Sequence, residues 1–83
     1  MEEKAIVTLH LLKAGREVDL ELPLDITAND LVVALNSAYG LGIDTDNVMD
    51  CYVKCENPIV LLRGNKTLAE FGVRNGSDLY ITE

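Results

Sequence analysis

Asn75-Gly76-Ser77-Asp78-Leu79-Tyr80-Ile81-Thr82-Glu83 closes the chain and reads as a turn followed by a strand. Asn-Gly is a strong turn signal because both residues tolerate positive φ. Beyond it Leu79 and Ile81 fall on one side, and Tyr80 and Thr82 on the other, the period-two pattern of a half-buried strand. A closing strand needs earlier strands to flank it, and the chain supplies them.

Working outward, Thr67-Leu68-Ala69-Glu70-Phe71-Gly72-Val73 reads as one helical turn carrying an apolar plug. Before it, Ile59 to Leu62 is a short strand, bounded by Asn57-Pro58 and by the turn Arg63-Gly64-Asn65-Lys66. Cys51 to Glu56 alternates, with Cys51, Val53 and Cys55 on one face and Tyr52, Lys54 and Glu56 on the other. Asp44 to Asp50 is an acidic loop. Thr27 reads as a helix N-cap with Asp30 completing a weak capping box, and Leu31, Ala34, Leu35 and Ala38 follow at helical spacing, with Val32 and Val33 widening the apolar face, until Gly40 and Gly42 stop the helix. The chain opens with a hairpin. Ala5 to Leu12 places Val7, Leu9 and Leu11 inward, and Thr8, His10 and Leu12 outward. After a turn at Lys13-Ala14-Gly15-Arg16, Glu17-Val18-Asp19-Leu20-Glu21-Leu22 alternates without error, and Pro23 ends it. One helix crossing after a hairpin leaves the first and last strands free to pair. The expected fold class is α+β, a mixed sheet of four to five strands with one main helix packed on one face.

The 83 residues are expected to form a single domain, 1–83, with one small core. An apolar share of 48% is too high for a disordered tail. Fourteen acids against seven bases give a net charge of −7, which argues against nucleic acid and anionic membranes as partners, since both reward Lys and Arg. Met1-Glu2-Glu3-Lys4 leads straight into a strand, unlike a signal peptide, and no apolar run approaches the length of a membrane span. The expected location is the cytoplasm, with both thiols reduced.

The order of elements resembles the β-grasp fold of ubiquitin over nearly the whole chain, with Gly64 to Val73 similar to ubiquitin's turn, Thr-Leu and buried aromatic, and Thr27 where ubiquitin caps its helix. From Tyr52 to Ile81, through Lys66-Thr67-Leu68-Ala69-Glu70-Phe71-Gly72-Val73 and Asn75-Gly76-Ser77-Asp78-Leu79, it is similar to the small bacterial ubiquitin-like family called YukD, or EsaB in other species. That resemblance implies a non-conjugated cytoplasmic accessory or regulator of type VII (ESX-like) secretion in Gram-positive bacteria, with a protein partner such as a membrane subunit of the apparatus. Ubiquitin-like proteins that are conjugated, or that carry sulfur, use a flexible Gly-Gly tail, and the expectation here is a chain that is bound rather than attached. The alternatives are a tail-less relative of the modifiers or sulfur carriers, and a structural β-grasp piece of a larger assembly. Thr82 is polar where ubiquitin's recognition patch is apolar, and most of ubiquitin's lysines are absent although Lys66 sits in the matching turn. Readers of ubiquitin are therefore expected to ignore this chain.

The residues offer little chemistry. Cys51 and Cys55 sit four apart on a predicted strand, roughly 13 Å apart and beyond disulfide reach, so both read as small apolar fillers. A metal or redox pair needs Cys-x-x-Cys spacing or further ligands, and His10 is the one histidine. Asp44, Asp46, Asn47 and Asp50 begin like a calcium loop, but Met49 stands where the loop needs Gly. Glu17, Asp19 and Glu21 on a probable edge strand discourage aggregation. No cofactor, no metal and no catalytic residue are expected, and the chain is not expected to be an enzyme.

What remains is the outer sheet face. In a β-grasp sheet the last strand lies between the first and third, which puts Tyr80 centrally, flanked by His10 and Tyr52, with Thr8, Leu12, Lys54 and Thr82 around it. Exposed aromatics inside a charged rim have the composition of a binding hot spot, so these seven residues are the predicted partner-binding surface.

Overall fold

The computed structural model describes residues 3–81, with the backbone alone at 48 and 49. Its elements are β1 (Lys4–Leu11), β2 (Arg16–Pro23), α1 (Ala28–Tyr39), a 3-10 segment (Thr45–Asp50), β3 (Val53–Glu56), β4 (Val60–Leu62) and β5 (Asp78–Ile81). The sheet order is β2-β1-β5-β3-β4. β1 and β5 run parallel, and the other neighbours are antiparallel. The fold is ubiquitin-like, with α1 covering one face of the sheet, as expected from the order of elements.

The inner face follows the alternation read from sequence. Val7, Leu9 and Leu11 of β1, Leu79 and Ile81 of β5, Val53 and Cys55 of β3 and Leu62 of β4 are buried. Each large apolar side chain taken out of water contributes roughly 1.5–3 kcal/mol. Val18 and Leu20 on the edge strand β2 are half-buried, and Leu22 is buried.

Thr27 caps α1 as predicted, its hydroxyl accepting from the Asp30 amide at 3.1 Å. Gly40 closes the helix in the left-handed region at φ 60, where a side chain would be strained. The buried stripe, however, is Ala28, Leu31, Val32 and Leu35, while Ala34 and Ala38 are exposed. Leu31, Val32 and Leu35 were expected on the apolar face, but that face is narrower than predicted, because Ala34 and Ala38 satisfy the periodicity with little apolar surface to bury and Val33 falls on the solvent side. The first helical amides are met by the turn downstream: Ala28 donates to the Lys66 carbonyl at 3.0 Å and Asn29 to that of Gly64 at 3.1 Å. The Asn29 side chain adds bonds to the Gly64 amide and the Asn65 side chain.

Thr67 to Gly72 forms hydrogen-bonded turns rather than a helix. Thr67 and Glu70 make a reciprocal capping box: the Thr67 hydroxyl accepts from the Glu70 amide at 3.2 Å, and the Glu70 carboxylate accepts from the Thr67 amide at 3.1 Å. Those bonds, with Thr67 foremost, hold the Glu70 carboxyl below its usual range. The buried plug is Leu68 and Val73. Phe71 is only partly buried, with the Lys66 ammonium 5.1 Å above its ring.

β3 begins at Val53, two residues later than the alternation suggested, so Cys51 and Tyr52 precede it. The acidic loop contains the 3-10 segment, kinked at Asn47. There the Asp46 amide donates to the Asp44 carboxylate at 3.0 Å, an Asx turn that engages a residue of the apparent calcium motif.

Candidate functional site

The register sets the outer face. His10 of β1 and Lys54 of β3 both stand opposite Tyr80 of β5. The His10 ring stacks on Tyr80, with centroids 4.4 Å apart and planes within 9°. His10 also lies between two carboxylates, its Nδ1 3.4 Å from Glu17 and its Nε2 3.0 Å from Asp78. On the other flank Tyr80 donates its hydroxyl to Glu56 at 3.3 Å.

Glu56 and Asp78 are directly cross-strand, a like-charge pairing that weakens a sheet unless something intervenes. Here His10 meets one carboxylate and Tyr80 donates to the other. Burial first, then Glu56 and Asp78, push the Tyr80 phenol above its ordinary range. Glu17, Glu56 and Asp78 were missed as parts of this face, although they are the cross-strand or i±2 neighbours of residues that were named. Alternation already set Glu56 on the face of Lys54 and Asp78 on that of Tyr80, while Glu17 needed the register.

The other predicted face residues divide. Thr8 is on the face, its hydroxyl donating to Asp19 of β2 at 3.2 Å. Leu12 lies past the end of β1 in the hairpin turn, exposed, its amide donating to the Ile81 carbonyl at 3.0 Å. Thr82 falls outside the described residues. Tyr52 does not flank Tyr80, because the register gives that place to Lys54. Tyr52 is 56% exposed and turns toward a cleft of about 500 Å³ at the end of the sheet, which it lines with Ile43, Asp44, Asp50, Lys54 and Tyr80. The loop wall of that cleft is pinned from the helix. Asn36 clamps Ile43 through both its side-chain atoms, donating to the Ile43 carbonyl at 3.1 Å and accepting from its amide at 2.9 Å.

Compared with known proteins, residues 5–81 match the family described as "WXG100 protein secretion system (Wss), protein YukD". The chain belongs to the YukD family. No curated protein matches it. Its backbone is similar to the C-terminal ubiquitin-like domain of mouse tubulin-specific chaperone e, at TM-score 0.73 and 14% identity over 95% of this chain and 84% of that one. It is also similar to a ubiquitin-like domain from tubulin-binding cofactor B, at 0.74 and 20% identity over 96% and 89%. The ubiquitin-like domain of Plasmodium falciparum Dsk2 gives 0.63 and 18% identity over 96% and 100%. At these identities the likeness is one of fold.

In this YukD-family chain the stretch that carried the resemblance, Lys66 to Val73, docks against the segment entering α1. Leu68 donates to the Ile26 carbonyl and Ala69 to that of Leu24, both at 2.9 Å. The motif therefore builds the fold away from the outer face. The two cysteines of this YukD-family protein also differ in role. Cys55 is fully buried, and burial foremost, then Asp78, pushes its thiol up to about 11, so it stays protonated and inert at neutral pH. Cys51 packs against the core as the predicted filler would, but without full burial. It is partly exposed, its thiol donating to the carbonyls of Asp44 at 3.5 Å and Asn47 at 3.6 Å, because it precedes the strand that would have turned it inward. Among the described residues no three His, Cys, Asp or Glu side chains converge as a metal site would need.

Proposed function

We propose that this YukD-family chain is a protein-interaction module of the WXG100 secretion system, a cytoplasmic accessory that docks on a membrane subunit of the apparatus and carries out no catalysis. The family match over residues 5–81 carries this reading. It is supported by the outer face, where Tyr80, His10 and Lys54 stand abreast on an open sheet beside exposed Ile6 and Leu61. Aromatic side chains in such a setting are the usual anchors of an interface. The polar groups on the face are engaged with one another, which suits docking better than turnover. The acidic row of β2 is a weaker candidate surface, since Glu17, Asp19 and Glu21 each have a partner on β1 in His10, Thr8 and Lys4.

The test is affinity capture from solubilised membranes of the source cells, with wild type, Tyr80→Asp and His10→Ala compared after circular dichroism has shown all three folded. Recovery of secretion-apparatus subunits by wild type, with loss in both variants, is the expected result. Equal recovery by all three would move the interface elsewhere. Recovery of no apparatus subunit, or an adenylated C-terminal carboxylate in the presence of an activating enzyme, would overturn the reading.

A further inference from the structure

The cleft beside Tyr80 has a composition that selects its occupant. Its lining joins apolar and aromatic side chains, from Ile43, Tyr52 and Tyr80, with the carboxylates of Asp44 and Asp50. Among the described residues the Asp50 side chain makes no hydrogen bond or ion pair, one carboxylate oxygen of Asp44 accepts from the Asp46 amide, and Tyr52 packs its ring against no other aromatic. The cleft is built rather than incidental. Gly40 turns the chain back in the left-handed region, Asn36 locks Ile43 by two hydrogen bonds, and the Cys51 thiol ties the far end of the 3-10 segment to Asp44 and Asn47. A preformed wall lowers the ordering cost of binding. The chain as a whole carries −7, so its field favours a cationic ligand.

We infer that this cleft recognises an arginine flanked by apolar residues in a partner's polypeptide segment. The guanidinium would meet Asp44 and Asp50 while its plane lies against Tyr52, a geometry that a planar cation meets better than an ammonium. The apolar neighbour would take the Ile43 and Tyr80 wall. Among the described residues Lys54 is the one cation lining the cleft, and it opposes such a ligand. The inference rests on the docking reading above, and it adds the chemistry of the partner.

The experiment titrates the 15N-labelled chain with three blocked peptides, acetyl-Gly-Leu-Arg-Leu-Gly-amide and its Gln and Glu counterparts, following backbone amide signals. The Arg peptide is expected to move Ile43, Asp44, Cys51, Tyr52 and Lys54, and the Gln and Glu peptides are not. Asp44→Asn with Asp50→Asn should weaken the Arg peptide about five-fold, as for the loss of two exposed ion pairs, and Lys54→Met should strengthen it about two-fold. The spectra themselves show whether each variant is folded. Tighter binding of the Glu peptide with loss in Lys54→Met would overturn the assignment in favour of an acidic segment. Shifts confined to Glu17, Asp19 and Glu21, equal response to all three peptides, or no response would each refute the cleft. Capture that survives Asp44→Asn with Asp50→Asn but fails in Tyr80→Asp would refute the cleft and leave the docking reading standing. Arg-peptide binding without capture of any apparatus subunit would do the reverse.

Discussion

Cys55 shows how one residue is defined by its surroundings. It is fully buried between β5 and β4, and its thiol is pushed from the ordinary 9.0 to about 11. Between those values the folded chain keeps a proton that the unfolded chain has released. Stability is therefore unaffected below pH 9 and falls as pH rises toward 11, and Cys55→Ala should flatten that fall in urea titrations across the range. Native-state alkylation with iodoacetamide should give one adduct, at Cys51, and a second only after unfolding. Two adducts at equal rates on the folded chain would refute the assigned burial. Tyr80 is likewise made by its neighbours: stacked on His10, bonded to Glu56 and placed across from Lys54. Its central place and its neighbour His10 were legible from the alternation and the expected strand order, but the other flank was given to Tyr52 instead of Lys54 and the bond to Glu56 was not foreseen, since alternation assigns a face and leaves the register open.

At the scale of elements, short-range chemistry was read well. The hairpin, the Thr27 cap and the Gly40 stop all follow from residues within a few positions of one another. Two readings slipped where long-range packing decides. Of the predicted apolar face the helix buries Leu31, Val32 and Leu35 but leaves Val33, Ala34 and Ala38 exposed, and β3 starts at Val53. The helix phase gives a direct check by chemical denaturation. Leu31→Ala should cost about 2–5 kcal/mol, as a large side chain removed from a packed core does. Ala34→Lys should stay within about 0.5 kcal/mol, as exposed helix substitutions do. Comparable losses at both positions would restore the predicted face. The late start of β3 has a functional consequence, because a residue before the strand is free of the pleat, and Tyr52 thereby lines the cleft instead of standing beside Tyr80.

At the scale of the molecule, β5 joins the two halves of the sheet, pairing with β1 near the start of the chain and with β3. Both pairings join β5 to strands far away in the sequence, so they hold only while the sheet as a whole is intact. Amide hydrogen exchange should therefore be slowest at Leu9 and Leu79, both fully buried on central strands, and fastest among strand amides in the three-residue edge strand β4. Protection of the β1–β2 hairpin that outlasts β5 would show the hairpin to be the more stable unit. By itself the sequence determined the order of elements, the inward set of each strand, the caps and turns, and the family resemblance, because these depend on period, on backbone freedom at Gly and Pro and on hydrogen bonds between near neighbours. Only the tertiary structure decided the register that sets Lys54 instead of Tyr52 beside Tyr80, the carboxylates drawn around His10 and Tyr80, the helix phase and the cleft at Tyr52. Those depend on contacts between residues far apart in the chain, whose energies no local pattern encodes.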